Sequence, residues 1–152
     1  MKQKNRGITI LEILVSIAII GILGSFSISV FSGLANTISL DKDTTNIASY
    51  IDKAHSEAIN SVNSLEHGVL FATKKVTVFK TTAYSTSNEE SFYTVSGKSN
   101  ITVITLTGGA TSLYFDKLTG AASKTGTITV TSSDGTKTKT ITIYATGVID
   151  IQ

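Results

Sequence analysis

The sequence predicts an α+β protein in which a long N-terminal helix packs on an antiparallel β-sheet or β-sandwich head. The first observation that predicts this fold is an apolar segment near the N-terminus, which is followed by apolar residues at helical spacing. The second is a change after Gly68 to alternating apolar residues and threonines, which is typical of half-buried strands. At 152 residues the chain has room for one modest domain besides the apolar segment.

Composition and charge exclude several classes of function. The hydrophobic content of 41% favours a folded chain over a disordered one. The net charge is +2, but without Lys2, Lys4 and Arg6 only 10 basic residues remain against 11 acidic ones, so the remainder carries −1. Such a chain has no overall field that gathers polyanions, and nucleic-acid binding is not expected. The absence of cysteine excludes disulfides and thiol chemistry.

Residues 1–7 form a short basic leader, and residues 8–35 form an apolar run whose one ionisable side chain is Glu12. As a helix rising about 1.5 Å per residue, this run would span about 40 Å and cross the hydrocarbon core of a bilayer. The leader is basic, while the first charged residues after the run, Asp41, Lys42 and Asp43, nearly cancel one another. The positive-inside rule therefore predicts a cytoplasmic N-terminus and an exported C-terminal body.

Three simpler interpretations compete for this run. A secretory signal peptide has a basic start and an apolar stretch, and it could be cut after Ala35, although the run is longer than usual. A plain single-pass anchor explains the length but not Glu12, whose burial at mid-membrane would cost roughly 2.5–3.5 kcal/mol. A buried helix of a soluble domain is the third interpretation.

A carboxylate within a membrane is by default functional and needs a positive partner. If the chain is cut after Gly7, the new α-amino group of Ile8 lies four residues before Glu12, which is one helical turn away. In a filament, the amine of one subunit could equally meet the carboxylate of its neighbour in a low-dielectric core.

The stretch Lys2–Leu23 resembles the class III signal of type IV pilins and type II secretion pseudopilins. It has the basic leader, Gly7 before the cut, and Thr9, Leu11 and Glu12 in the expected order. The sequence departs from the family at the residue after the cut, which is isoleucine instead of the usual phenylalanine or methionine.

The resemblance implies that a prepilin peptidase cuts between Gly7 and Ile8 and methylates the new N-terminus at Ile8. It also implies that Glu12 pairs with an N-terminal amine during assembly. The expected partners are the peptidase, other pilin or pseudopilin subunits, the inner-membrane assembly platform, and membrane lipid before assembly. The expected location is the bacterial inner membrane, with one pass and an extracytoplasmic head, and then a pilus or pseudopilus.

Residues 36–66 are predicted to extend the helix as an amphipathic segment. Its apolar residues recur at spacings of three and four, which favours packing on the chain's own sheet. They are Ile47, Ile51, Ala54, Ala58, Val62 and Leu65. His67-Gly68 is predicted to end the helix, because glycine suits the left-handed terminal position.

Residues 67–152 are predicted to form the β-rich head. Strands are expected around Val76, around Ile101, and at 68–73, 91–95, 112–116 and 147–151. Ser133–Thr136 is a turn cluster, which predicts an antiparallel hairpin of 127–132 with 137–145.

The C-terminal part carries a second resemblance, to the H-type minor pseudopilins and related minor pilins. It is carried by Leu113–Gly120, Gly126–Val130, Ile141–Ile143 and Gly147–Ile149. This family has a long N-terminal helix against a β-sandwich-like head. The chain also lacks the cysteines and the first-helix proline that are common in major pilins, so a minor subunit fits better.

The expected function is therefore that of a structural minor subunit of a type II secretion pseudopilus, and not of an enzyme. Two alternatives stay open: a minor pilin of a type IV or competence pilus, and a membrane-tethered binding or adhesion module that does not polymerise.

Residues that could carry chemistry are few, and no catalytic residue, metal site or cofactor is predicted. His55 and His67 belong to no spaced set of metal ligands and are expected at the surface. Glu89-Glu90 is expected in a solvated loop, with side chains pointing apart and calcium binding as a minor alternative. Five lysines could touch DNA in a competence pseudopilus, but they are expected to be isolated charges at strand edges that discourage aggregation. They are Lys74, Lys75, Lys80, Lys137 and Lys139.

Overall fold

The computed structural model describes residues 8–152, with side chains described at 8–25 and 33–152. The chain divides into two compact units, Met1–Ala35 and Asn36–Gln152. One helix, α1 (Ile10–Ile59), begins in the first unit and ends in the second, where eight strands follow it. The predicted α+β class, a long N-terminal helix with antiparallel sheets, is confirmed.

Within the second unit, α1 buries one face against the head. Ile47, Ile51, Ala54 and Ala58 are fully buried, at the predicted spacings of three and four residues. Because residues at these spacings lie on one side of a helix, they form a continuous apolar stripe. The prediction that this stripe packs on the chain's own sheets is confirmed.

The predicted helix end at His67-Gly68 is wrong, because α1 ends at Ile59. A 3₁₀ turn at Val62–Ser64 follows, and its neighbourhood holds three non-glycine residues at positive φ: Ser61, Asn63 and Ser64. Left-handed backbone cannot continue a right-handed helix, and short polar side chains tolerate it better than branched ones do. His67 and Gly68 instead begin the first strand.

Gly68 has a packing role in that strand. A Cβ at this position would lie against the ring of Phe79 and 2.7 Å from the carbonyl oxygen of Leu113. Glycine is therefore needed for the close approach of neighbouring strands, and not to terminate a helix.

The head contains eight strands, which form two sheets. They are β1 (His67–Ala72), β2 (Lys75–Lys80), β3 (Glu89–Thr94), β4 (Ser99–Leu106), β5 (Ser112–Phe115), β6 (Gly126–Ser132), β7 (Thr138–Ile143) and β8 (Ile149–Ile151). Sheet 1 has the order β3-β2-β1-β5, and sheet 2 has the order β4-β6-β7-β8. All neighbouring strands are antiparallel. The predicted strand ends are within two residues of those observed.

The predicted hairpin is confirmed by β6 and β7, which pair from Gly126 with Ile143 to Thr131 with Thr138. The turn between them has Gly135 at φ 70°. The carboxylate of Asp134 accepts hydrogen bonds from the backbone N–H and the hydroxyl of Thr136, which fixes the turn. This is the usual role of aspartate in a turn.

The core is one cluster of buried apolar residues from α1 and both sheets. Polar contacts also attach α1 to the head. The buried carboxylate of Asp43 accepts hydrogen bonds from the hydroxyls of Tyr93 and Ser96, both at 2.6 Å. Asn46 donates to the Tyr93 hydroxyl at 3.0 Å.

Candidate functional site

The N-terminal site predicted from the sequence consists of Gly7, Ile8 and Glu12. Gly7 lies outside the described residues. Ile8 precedes the helix with its side chain exposed, and Glu12 lies in the first helical turn. A carboxylate is favoured there, because the helix dipole places partial positive charge at the N-terminus.

Thr9 caps this end of α1. The backbone N–H of Glu12 donates to the hydroxyl of Thr9 at 3.2 Å and to the Thr9 carbonyl oxygen at 3.1 Å, so Thr9 supplies two acceptors at the helix start. The spacing Thr9-x-x-Glu12 matches the capping-box pattern, a signal that the sequence analysis did not use.

The apolar residues of the first unit are exposed on successive positions of α1, and so on every side of the helix. Among the residues with described side chains they include Ile10, Leu11, Ile13, Leu14, Val15, Ile17, Ile19, Ile20, Ile22 and Leu23. A helix that is apolar all round is normally buried, in a protein core or in a membrane. A Cβ added at Gly21 or Gly24 would meet no atom within 4 Å, so both glycines leave open surface.

No helical segment among residues 10–25 and 33–152 is both long enough and apolar enough to span a membrane.

The head brings together three residues that the sequence analysis did not connect: Glu57 of α1, His67 of β1 and Glu90 of β3. Nδ1 of His67 lies 3.3 Å from Oε2 of Glu57 and 3.4 Å from Oε2 of Glu90. The expectation that His67 lies at the surface is wrong, because its side chain is 0% exposed. Burial, followed by the charge of nearby Glu90, raises the pKa of Glu57.

A β-bulge positions Glu90. Between β2 and β3, Val78 pairs with Ser91 while Phe79 pairs with Glu89, which leaves Glu90 as the extra residue. Bulges redirect side chains and are frequent beside functional sites. The expectation of a solvated loop is wrong for Glu89-Glu90, which begins β3.

Glu89 and Glu90 have different partners. Glu89 pairs with Lys75 at 2.8 Å and accepts a hydrogen bond from Tyr84. Glu90 pairs with Lys80 at 3.6 Å and with His67. The prediction that adjacent side chains on extended chain point apart therefore holds for this pair.

The prediction of isolated lysines at strand edges is wrong, because each of the five lysines has a partner. Lys74 donates to the carbonyls of Ser96 and Ser99, Lys75 and Lys80 pair with Glu89 and Glu90, Lys137 donates to Thr37, and Lys139 pairs with Asp41. Strand periodicity could not reveal these pairs, because most depend on how α1 and the loops lie against the sheets.

His55 is half-buried and not at the surface as expected. Its ring packs edge-on against Phe115, with centroids 5.2 Å apart. Its Nε2 is buried without a hydrogen-bond partner among the described residues. A Cβ at Gly120 would come within 2.6 Å of that nitrogen, so glycine makes room for the ring.

Two known protein families match the chain, one at its N-terminus and one over most of the rest of its length. The family model of the prokaryotic N-terminal methylation motif matches residues 2–28. The family model of the type II transport protein GspH matches residues 43–147, which is more than half of the chain. No curated protein and no solved structure matches the chain.

Proposed function

Because the chain belongs to the GspH family of type II transport proteins, we propose that it is a structural minor subunit of a type II secretion pseudopilus, processed by a prepilin peptidase. The observation that carries the proposal is that the two family models match consecutive parts of the chain and that α1 connects those parts. The methylation motif covers the start of α1, and the GspH match begins within α1 at residue 43 and continues through the sheets.

The proposed mechanism is assembly and not catalysis. Before assembly, residues 8–35 lie in the inner membrane with the N-terminus in the cytoplasm and the head outside. The peptidase cuts after Gly7 and methylates Ile8. The exposed apolar surface of α1 then exchanges lipid for the helices of other subunits, with Gly21 and Gly24 permitting close approach.

Glu12 supplies the specificity of this packing. In an apolar filament core its carboxylate favours a position opposite an N-terminal amine, because an unpaired charge there is costly. The partners of the subunit are therefore other pseudopilins, and the register between them depends on this pair. The GspH match favours a secretion pseudopilus over a type IV or competence pilus, which would use the same assembly.

Processing is the first test. The full chain is expressed with a prepilin peptidase, extracted from membranes, and analysed by mass and N-terminal sequencing. We expect a chain that begins at N-methylated Ile8. A chain that begins at Asn36, or that retains the leader beside an active peptidase, contradicts the proposal.

Assembly is the second test. Glu12→Gln and the control Asp52→Asn, which changes an exposed carboxylate on the same helix, are expressed with the other subunits of a secretion system. We expect both variants to be processed. Only Glu12→Gln should be depleted from sheared pseudopili, because it removes the charge that pairs with the amine. Equal incorporation of the two variants contradicts the role of Glu12.

A further inference from the structure

Glu57, His67 and Glu90 form a cluster whose inferred role is separate from pseudopilus assembly and does not depend on it. We propose that these three residues bind a divalent transition-metal cation, for which Zn²⁺ is the best match. The cation would connect α1 to β1 and β3 within the head.

His67 is the central residue of the cluster. Its side chain is fully buried, and Nδ1 has no hydrogen-bond partner among the described residues. Two carboxylate oxygens nevertheless lie within 3.4 Å of Nδ1. Both distances are longer than a typical N–H···O hydrogen bond. The three atoms are close enough together to share one cation.

The other ring nitrogen of His67 faces the backbone. Nε2 of His67 lies 3.2 Å from the carbonyl oxygen of Val62, to which its N–H can donate. When Nε2 carries the proton, Nδ1 has a lone pair that can bind a cation lying between it and the two carboxylates. A histidine that ligates a metal commonly donates its other N–H to a backbone carbonyl in this way.

The turn that holds Val62 supports this reading. Ser61, Asn63 and Ser64 all have positive φ, between 50° and 57°. This backbone conformation ends α1 and turns the chain toward β1. It also places the Val62 carbonyl against His67.

The distances between ligand atoms are compatible with a small tetrahedral cation. Zinc bonds of about 2.0–2.2 Å in a tetrahedral arrangement place neighbouring ligand atoms about 3.4 Å apart. The two distances from Nδ1 are 3.3 and 3.4 Å, and all three ligand atoms lie within 4.8 Å of one another. An imidazole ligand favours zinc over calcium or magnesium, which prefer oxygen alone.

The two carboxylates of the cluster are partly open to solvent, and each also pairs with a lysine. The side chains of Glu57 and Glu90 are 20% and 22% exposed, which leaves a route for the ion and for water as a fourth ligand. Their Oε1 atoms lie 3.7 Å from Lys53 and 3.6 Å from Lys80, so each carboxylate keeps Oε2 for the cluster. The two lysines balance the two carboxylates, and we therefore expect moderate affinity.

The test uses the full chain in detergent after dialysis against a chelator. Zn²⁺ is titrated by calorimetry, Co²⁺ binding is followed by visible absorption, and Ca²⁺ is the comparison ion. Glu90→Gln removes a partly exposed ligand, and its matched control is Glu89→Gln, the neighbouring carboxylate outside the cluster. Circular dichroism checks that each variant is folded.

We expect one Zn²⁺ per chain, the strong visible bands of tetrahedral Co²⁺, and little response to Ca²⁺. Glu89→Gln should bind as the unchanged chain does. Glu90→Gln should bind at least about tenfold more weakly, since even an outer-shell partner contributes about 10–100-fold to metal affinity. No Zn²⁺ binding, or equal binding by the two folded variants, would overturn the proposal. Because these readouts involve neither processing nor assembly, their failure is distinguishable from failure of the proposed function.

Discussion

The hydroxyl of Tyr93 donates a 2.6 Å hydrogen bond to the carboxylate of Asp43, which lies 50 residues earlier in the chain. Ser96 donates a second bond of the same length to the other carboxylate oxygen. Asp43 is on α1, Tyr93 is on β3, and Ser96 follows β3. This buried carboxylate therefore attaches the helix to the edge of sheet 1.

Asp43→Asn should destabilise the head by about 1–3 kcal/mol at pH 7, the usual cost of disturbing a buried hydrogen bond. Burial alone would raise the pKa of Asp43, but the hydrogen bonds from Ser96 and Tyr93 outweigh it and hold the pKa below its ordinary value of 3.8. A lowered folded-state pKa means that the ionised carboxylate contributes stability above about pH 4, and that this contribution is lost as the pH falls through the folded-state pKa.

The measurement is unfolding of the full chain at a series of pH values, followed by tyrosine fluorescence. The difference between the unchanged chain and Asp43→Asn should shrink as the pH falls below 4. Asp41→Asn is the control, because Asp41 is 50% exposed and pairs with Lys139 at the surface. Its effect should be under about 1 kcal/mol. A difference for Asp43→Asn that does not vary with pH would contradict the role given to its charge.

Ile51→Ala should lower the free energy of unfolding by about 2–5 kcal/mol, because Ile51 is fully buried between α1 and the sheets. Ile59→Ala is the matched control, since this last residue of α1 is 40% exposed. It should cost clearly less, about 1 kcal/mol, because only part of its side chain is buried, beside Gly120. Chemical denaturation of both variants provides the measurement, and similar losses would argue against the buried stripe.

Gly68→Ala should destabilise the head by about 1–3 kcal/mol or more, because the added Cβ would collide with the ring of Phe79 and the carbonyl of Leu113. Gly97→Ala is the control, since a Cβ there meets nothing within 4 Å. Thermal melts of the two variants should differ clearly. A neutral Gly68→Ala would mean that the strands have room to separate.

Thr9→Ala should weaken the first turn of α1 by about 0.5 kcal/mol, because it removes one of the two Thr9 oxygens that accept from the N–H of Glu12 and leaves the carbonyl oxygen. Thr9→Ser keeps the hydroxyl oxygen and serves as the control. Amide hydrogen exchange in detergent micelles measures the effect. The Glu12 amide should exchange faster in Thr9→Ala alone, and unchanged exchange would exclude the cap.

Local patterns in the sequence predicted much of the fold. The stripe from Ile47 to Ala58 and the alternation along β6 and β7 depend only on which side chains are apolar and on the period of helix or strand. The turn at Ser133–Thr136 depends on residues that favour that conformation. Such features lie within a few residues of one another, so the sequence shows them directly.

The helix end was predicted wrongly because it depends on contacts between residues that are distant in sequence. Gly68 resembles a helix terminator when only its neighbours in sequence are considered. Its place beside Phe79 and Leu113 depends on pairing with β2 and β5, which local sequence does not show.

The sequence by itself determined the apolar N-terminal segment with Glu12, the α+β class and the order of helix and strands, because these follow from short-range periodicity and composition. Only the tertiary structure decided that Glu57, His67 and Glu90 meet. They lie on a helix and two strands that are not direct neighbours in sheet 1. Their distances depend on how α1 lies across the sheet and on the bulge at Glu90, and packing of the whole core sets both.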